Sequence, residues 1–313
     1  MERKPTSGDG YRVLSTTTIL VWAIGLVVVA GVAVVLLWST LGAGDARDSA
    51  RLDVIRTAGS IVVGTGGAAA LLLTARRQRT TELDLRQKDH DATERRVTEL
   101  YGKAADQLGS DKAPVRLAGL YALERLAQDN AAHRQTIVNL VCAYLRMPFQ
   151  PPADGRSEEL EVRRIAQGLL SAHLRAGEND DSPAYWAGIE LNLMGATLIK
   201  FSLTHCRLRS ALFKDATFVD QASFRGTVFE HSVDFRGVTF AGLADFRRVT
   251  FGDDDRGFRD AVFEAEVDFG TTTEAKLSGA FAHVNGHQRR RWPDDWTEDL
   301  HDPTRTRLVH TGK

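Results

Sequence analysis

Along residues 224–251, FRGTVFEHSVDFRGVTFAGLADFRRVTF, the large apolar positions are Phe224, Phe229, Phe235, Phe240, Phe246 and Phe251, so they return after five, six, five, six and five residues. An amphipathic helix returns its apolar residues at three and four, and a half-buried strand returns them at two. Neither template fits. The period persists outside this stretch: Phe213, Phe224, Phe235 and Phe246 form one register and Phe218, Phe229, Phe240 and Phe251 another, each step being eleven. After an added residue in GDDDRGF both registers resume at Phe258, Phe263 and Phe269. Upstream, Leu193, Leu198, Leu203, Leu208 and Phe213 keep a plain spacing of five. The unit is five residues long, with an occasional sixth.

Two positions before these residues sits a small or β-branched one: Ala196, Cys206, Ala211, Ala216, Ala222, Thr227, Val233, Val238, Ala244, Val249, Ala261 and Val267. Phe201 and Arg256 break the series. A chain that turns a corner every five residues, with one large and one small side chain inward per side, closes a square coil of about four units. Stacked coils then place Phe on Phe and Ala or Val on Ala or Val, at the ~4.8 Å spacing of hydrogen-bonded strands. The central Leu or Phe and the preceding small residue resemble the pentapeptide-repeat family over about residues 189–269. That resemblance implies a right-handed quadrilateral β-helix. Its functional implication is looser, because the family contains many members with no established activity, some that mimic DNA and bind gyrase, and some that lie on membranes.

The pattern is different upstream. Residues 13–44, including TTTILVWAIGLVVVAGVAVVLLWSTLG, carry no charged side chain, which is ample to cross ~30 Å of hydrocarbon at ~1.5 Å per residue. A secretory signal has an apolar core of only ~7–15 residues, and here a second uncharged stretch follows at 57–75. This second stretch is rich in Gly, as membrane helices often are. Gly64 and Ala68 stand four apart, a spacing that lets helices pack closely. Arg3, Lys4 and Arg12 precede the first span, and Arg76, Arg77 and Arg79 follow the second, before Glu82. The connecting loop balances Arg47, Arg51 and Arg56 against Asp45, Asp48 and Asp53. The positive-inside rule then puts both ends in the cytoplasm, on a two-helix transmembrane hairpin in the cell membrane.

Between these regions the period is helical. Residues 80–109 begin as a charged run and then place Val97, Leu100, Tyr101, Ala104 and Leu108 on one face. Pro114 is placed to open a helix and Asn130 to cap the next, which must stop before Pro148. The linker QPPADGRSE leads to an amphipathic helix at about 158–176. The predicted fold is therefore mixed. Residues 1–79 form the membrane anchor, with spans at about 17–41 and 57–75. Residues 80–178 form a helical neck and small bundle, 186–271 the β-helix, and 272–313 a capping segment with a disordered tail. Both open coil ends need cover. Tyr185 and Trp186 are placed for it at the start, and Trp292 and Trp296 at the end.

Composition changes this picture little. The 313 residues are 43% apolar and carry a formal net charge of -1, so no global bias points to nucleic acid. Cys142 and Cys206 are too few for a disulfide framework and read as small buried hydrophobes. No catalytic, cofactor-binding or metal-ligating residue is nominated, because the chain has no phosphate loop, nucleophile elbow or carboxylate pair in a catalytic setting. His283 and His287 have a metal-site spacing but no partnering Cys pair, and read as solvated. Arg289, Arg290 and Arg291 beside Trp292 read as a solvated cluster. The GDDDRG stretch at 252–257 lacks the ligand order of a calcium loop and reads as a surface bulge.

The function expected is a membrane-tethered, non-enzymatic scaffold whose cytoplasmic β-helix binds another protein, with homo-oligomerisation through a coil end as a further expectation. The alternative is a DNA mimic regulating a nucleic-acid enzyme such as gyrase. A mimic needs a strongly negative face. Residues 186–271 hold 13 Asp plus Glu against 10 Lys plus Arg, a net of -3 with the signs mixed.

Overall fold

A computed structural model of the chain describes residues 48–152, 156–177, 182–254, 256–270, 274–283, 289–299 and 305–311, together with Gly25, Val28, Gly31, Val32, Val35 and Ser39; some residues within 48–90 are described by backbone alone. The chain divides into two compact units, residues 1–92 and 93–313. The first predicted span, 17–41, falls almost wholly outside the described residues. The second, 57–75, lies within helix α1 (Asp48–Leu108). Among the described residues no helix is long and apolar enough to cross a membrane.

In the second unit, the end of α1 buries Val97, Ala104 and Leu108 of the predicted face and half-buries Tyr101, whereas Leu100, assigned to the same face, is 46% exposed. Helix α2 (Ala113–Asp129) has Pro114 in its first turn, where a missing N–H costs nothing. Helix α3 (Arg134–Arg146) follows a single 3-10 turn, and α4 (Glu158–Leu174) is capped by Ser157, whose hydroxyl accepts from Leu160 N–H at 3.0 Å. Asn130 does not cap the next helix as its position predicts. Its side-chain amide donates to the carbonyl of Leu126 at 3.0 Å, because the last carbonyls of α2 are orphan acceptors that a nearby amide satisfies. Glu159 ties the helices together, accepting from Arg163 at 2.7 Å, Arg116 at 3.1 Å and the Tyr144 hydroxyl at 3.0 Å. Arg163 also donates to the carbonyls of Leu145 and Met147, which fixes the chain as it leaves α3.

The repeats form strands β1 (Glu190–Asn192), β2 (Thr197–Ser202), β3 (Arg207–Leu212), β4 (Thr217–Ser223), β5 (Val228–Asp234), β6 (Thr239–Phe240), β7 (Leu243–Asp245), β8 (Val262–Phe263) and β9 (Val267–Asp268). Every pairing among them is parallel and joins one coil to the next: β1 to β3 and β3 to β5 on one side, β2 to β4, β6 and β8 on another. Coils begin at Leu193, Phe213, Phe235 and Phe258, giving a solenoid of about four turns. The register puts Phe218 against Phe240 and Phe240 against Phe263, as the sequence spacing requires.

Backbone register dictates how the rings meet. Within a column they stack nearly parallel: Phe213 on Phe235 at 5.1 Å and 9°, Phe235 on Phe258 at 4.8 Å and 4°, Phe246 on Phe269 at 4.7 Å and 11°. Between columns they meet edge to face, as Phe235 and Phe246 do at 5.6 Å and 88°. Burying each ring is worth about 1.5–3 kcal/mol, so this ladder is the main cohesive element of the repeats. Phe201, which breaks the series of small residues, is 1% exposed and packs against Phe213, Phe218 and Phe224. The first coil has Leu at its central positions, and the aromatic in the small column fills the volume they leave. Arg256, the other exception, is exposed beside the bulge.

Two glycines record how closely the coils approach. A Cβ on Gly242 would lie 1.2 Å from the carbonyl oxygen of Asp220 on the preceding coil. Gly237 has φ +67°, and a Cβ there would lie 2.3 Å from Oδ1 of Asp215, which occupies the same corner one coil earlier. Such a corner admits side chains on alternate coils only.

The helices complete the first coil by replacing the strand it lacks. Gln135 of α3 accepts from Glu190 N–H at 2.9 Å and donates to its carbonyl at 2.8 Å. Gln167 of α4 does the same for Ile199, at 3.2 and 3.1 Å. Trp186 is buried, stacks on His173 at 4.0 Å and donates to Gln128 at 2.9 Å. Bundle and solenoid therefore share one buried core.

The far end is closed by β10 (Phe281–His283), β11 (Arg290–Arg291), β12 (Trp296–Asp299) and β13 (Arg305–His310). Strand β10 continues the parallel stack on β8, and β13 and β12 then add to it antiparallel. Trp292 lies edge to face on Phe263 at 5.2 Å. Residues 305–310, where disorder is expected, alternate in RTRLVH: Thr306 and Leu308 point inward, 0% and 2% exposed, so a half-buried strand forms.

Candidate interaction surface

With the interior filled by side chains, the chemistry left to the solenoid is on its flanks. The residues beside the central Leu or Phe line the flanks, from exposed to buried as at Asp234 and Asp245, and the coil register aligns them in columns. One column is uncharged for most of its length: Thr197, Thr217, Thr239, Val262 and Phe281. Another runs Ser202, Ser223, Asp245 and Asp268. Lys214, Arg236 and Arg259 follow one another at a corner, each carbonyl receiving an N–H from the preceding coil.

The charges are arranged by a recurring tripeptide. In Asp234-Phe235-Arg236 the carboxylate accepts from its own Arg at the backbone N–H (3.1 Å), Nε (2.9 Å) and Nη2 (2.6 Å). Asp245-Phe246-Arg247 repeats the arrangement at the same three distances. Arg247 also reaches Asp268 of the next coil at 3.6 Å, so the pair ties two coils. Burial alone raises these carboxyls, and the Arg side-chain and backbone hydrogen bonds outweigh it. Asp234 and Asp245 therefore titrate below the usual carboxylate value.

The other singled-out residues divide as follows. Cys142 and Cys206 are buried, and burial pushes both thiols up to about 11, which keeps them unreactive near neutral pH. Arg290 is part of the terminal cap, donating to Glu298 at 3.0 Å and to the carbonyl of His283; Arg291 is exposed. Trp292 donates to the same Glu298 at 2.9 Å. His287 and Asp255 lie outside the described residues. Asp253 and Asp254 are exposed, and among the described residues no three His, Cys, Asp or Glu side chains gather into a metal site.

A family model described as pentapeptide repeats (nine copies) matches residues 195–239 and 224–273. Residues 195–273 are pentapeptide repeats. No curated protein and no solved structure matches the chain. The pentapeptide repeats account for the coils from Gly195 to Phe269, while the helices and the closing hairpin lie outside the matched segment. Sequence reading missed the Gln135 and Gln167 clamps, since a lone Gln on a helix carries no signal. The paired charges did carry one: the Asp-Phe-Arg tripeptide recurs at a spacing of eleven.

Proposed function

We propose that this protein is a membrane-tethered, non-enzymatic scaffold whose β-helix binds a protein partner through its flanks, on the cytoplasmic side of the cell membrane. The observation that carries the reading is the distribution of surface. Inward side chains are consumed by the Phe ladder, and the coil ends are covered by the helices and by the β10–β13 cap. The ordered columns on the flanks remain. They offer fixed side chains at ~4.8 Å intervals, the spacing of an extended rigid template.

The tether rests on the uncharged stretches at 13–44 and 57–75 and on the charge asymmetry around them. Val28, Val32, Val35, Leu71 and Leu73 are exposed, and apolar side chains on a helix without protein cover fit contact with lipid. The DNA-mimic alternative lacks support, because Asp234 and Asp245 are each neutralised by their own Arg, whereas a duplex presents unrelieved negative charge.

Crosslinking of the full chain in native membranes, followed by mass spectrometry, tests the reading. A protein captured in stoichiometric amounts through outward residues of 186–271 is the expected result. Self-crosslinks alone would replace the scaffold with a membrane-bound oligomer, and recovery in the soluble fraction would remove the tether.

A further inference from the structure

The repeat contains a third copy of its charged tripeptide, altered at one residue. Ser223-Phe224-Arg225 stands one register step before Asp234-Phe235-Arg236 and two before Asp245-Phe246-Arg247. Ser223 pairs directly with Asp245 in the strand register, and the carbonyls of Arg225 and Arg247 each receive an N–H from the preceding coil, from His205 and Gly226. Ser223 thus stands where the equivalent Arg would find its carboxylate. The serine is 8% exposed, an environment close to that of Asp245 at 6%.

Among the described residues, no carboxylate forms an ion pair or hydrogen bond with Arg225 in the way Asp245 does with Arg247. The Nε–H of Arg225 is buried without a hydrogen-bond partner. Asp245, one coil on, lies close enough to feel its charge but already accepts three N–H groups from Arg247. Beside Arg225 in the register sits a chain of hydroxyls: Ser202 Oγ and Thr204 Oγ1 are 2.9 Å apart, and Thr204 Oγ1 and Ser223 Oγ 3.0 Å. Three hydroxyls have three protons, and two internal bonds use two of them, so one O–H stays available to an outside acceptor.

We propose that Arg225, with the Ser202, Thr204 and Ser223 hydroxyls, is the point at which the flank receives a carboxylate side chain of the protein partner. The partner's Asp or Glu would take the place the repeat gives to Asp245 in the next coil, accepting from the guanidinium and from the free hydroxyl. A carboxylate fits better than a neutral group because the guanidinium cannot shed its charge. This inference rests on the scaffold reading, since the ligand is supplied by the bound protein.

Two variants of the full chain test it. Arg225→Gln removes the donor fork. Ser223→Asp supplies the missing carboxylate internally, recreating Asp-Phe-Arg, and should melt no lower than wild type while closing the site. Both should cut crosslinking capture of the partner in native membranes by about tenfold or more, the scale of a lost charge-assisted hydrogen bond. With inorganic phosphate as a probe anion, against chloride at matched ionic strength, wild type should gain melting temperature relative to both variants. Equal phosphate response in wild type and both variants overturns the anion site. A partner captured equally by all three overturns the docking role alone and leaves the scaffold standing, whereas no captured partner with wild type overturns both. If Arg225→Gln fails to fold, Ser223→Asp still decides.

Discussion

The two ends of the solenoid meet the same need with different chemistry. Each end coil would expose unpaired backbone groups and the face of an aromatic or aliphatic core. At the start, two side-chain amides supply the backbone partners: Gln135 pairs with Glu190 and Gln167 with Ile199, each as donor and acceptor. At the finish, whole strands do so. Phe281 N–H donates to the Ala261 carbonyl at 2.8 Å, Leu308 N–H to that of Ala280 at 2.9 Å, and Trp292 covers the rings of Phe263 and Phe269. The first end is a set of point clamps on a helical surface, and the second is a continuation of the sheet. A helix can close a β-stack only where a long polar side chain reproduces a peptide group, so the amide clamps make the helical bundle part of the solenoid's stability.

The middle of the stack, equally remote from both ends, sets the scale for comparing them. Phe235 is fully buried and touches rings above, below and beside it. Phe235→Ala should cost about 3–5 kcal/mol and lower the melting temperature of the whole second unit. An unchanged melting curve would sink the assigned register.

At the finishing end, Trp292→Ala uncovers Phe263 and Phe269 and removes the indole donor to Glu298, for an expected loss of about 2–3 kcal/mol. Gain of binding by a dye specific for exposed apolar surface should accompany it. At the starting end, Gln167→Ala leaves the buried N–H and carbonyl of Ile199 without partners, at about 1–2 kcal/mol. Hydrogen exchange at the Ile199 amide should accelerate in this variant while the Phe281 amide keeps its protection. Acceleration at both would show that the ends are not independent closures.

Legibility in the sequence followed the same division. The coils are readable because, apart from one seven-residue step from Phe251 to Phe258, every fifth or sixth residue obeys one steric rule, and fifteen central positions from Leu193 to Phe269 repeat it. Ser157 as a cap and Pro114 as a helix opener are local signals, but only the Pro was usable without knowing where the helix began. The clamps were invisible, since Gln135 and Gln167 act through partners 55 and 32 residues away. The closing hairpin reads as disorder in the sequence because its alternation spans only RTRLVH, and its burial depends on β10 being present to receive it. For the interaction surface, the Asp-Phe-Arg spacing was in plain view, yet the meaning of Ser223-Phe224-Arg225 required knowing that Ser223 and Asp245 face each other.

Acid separates the middle of the solenoid from the glutamine-clamped end, because amides do not titrate. Asp234 and Asp245 have folded-state values below their usual one, so each stabilises the fold above the unfolded-state value, near 3.8. That contribution is lost as pH falls through the lower folded-state value. Melting temperature should therefore be flat from neutral pH to about 5 and decline below about 4. Asp245→Asn should lie lower than wild type at pH 7, since a neutral amide cannot hold both Arg247 and its charge, and should converge toward wild type in acid. Parallel curves for the two proteins would show that the Asp245–Arg247 pair contributes nothing that titrates. The solenoid would then owe its coil-to-coil cohesion to the Phe ladder and the backbone alone.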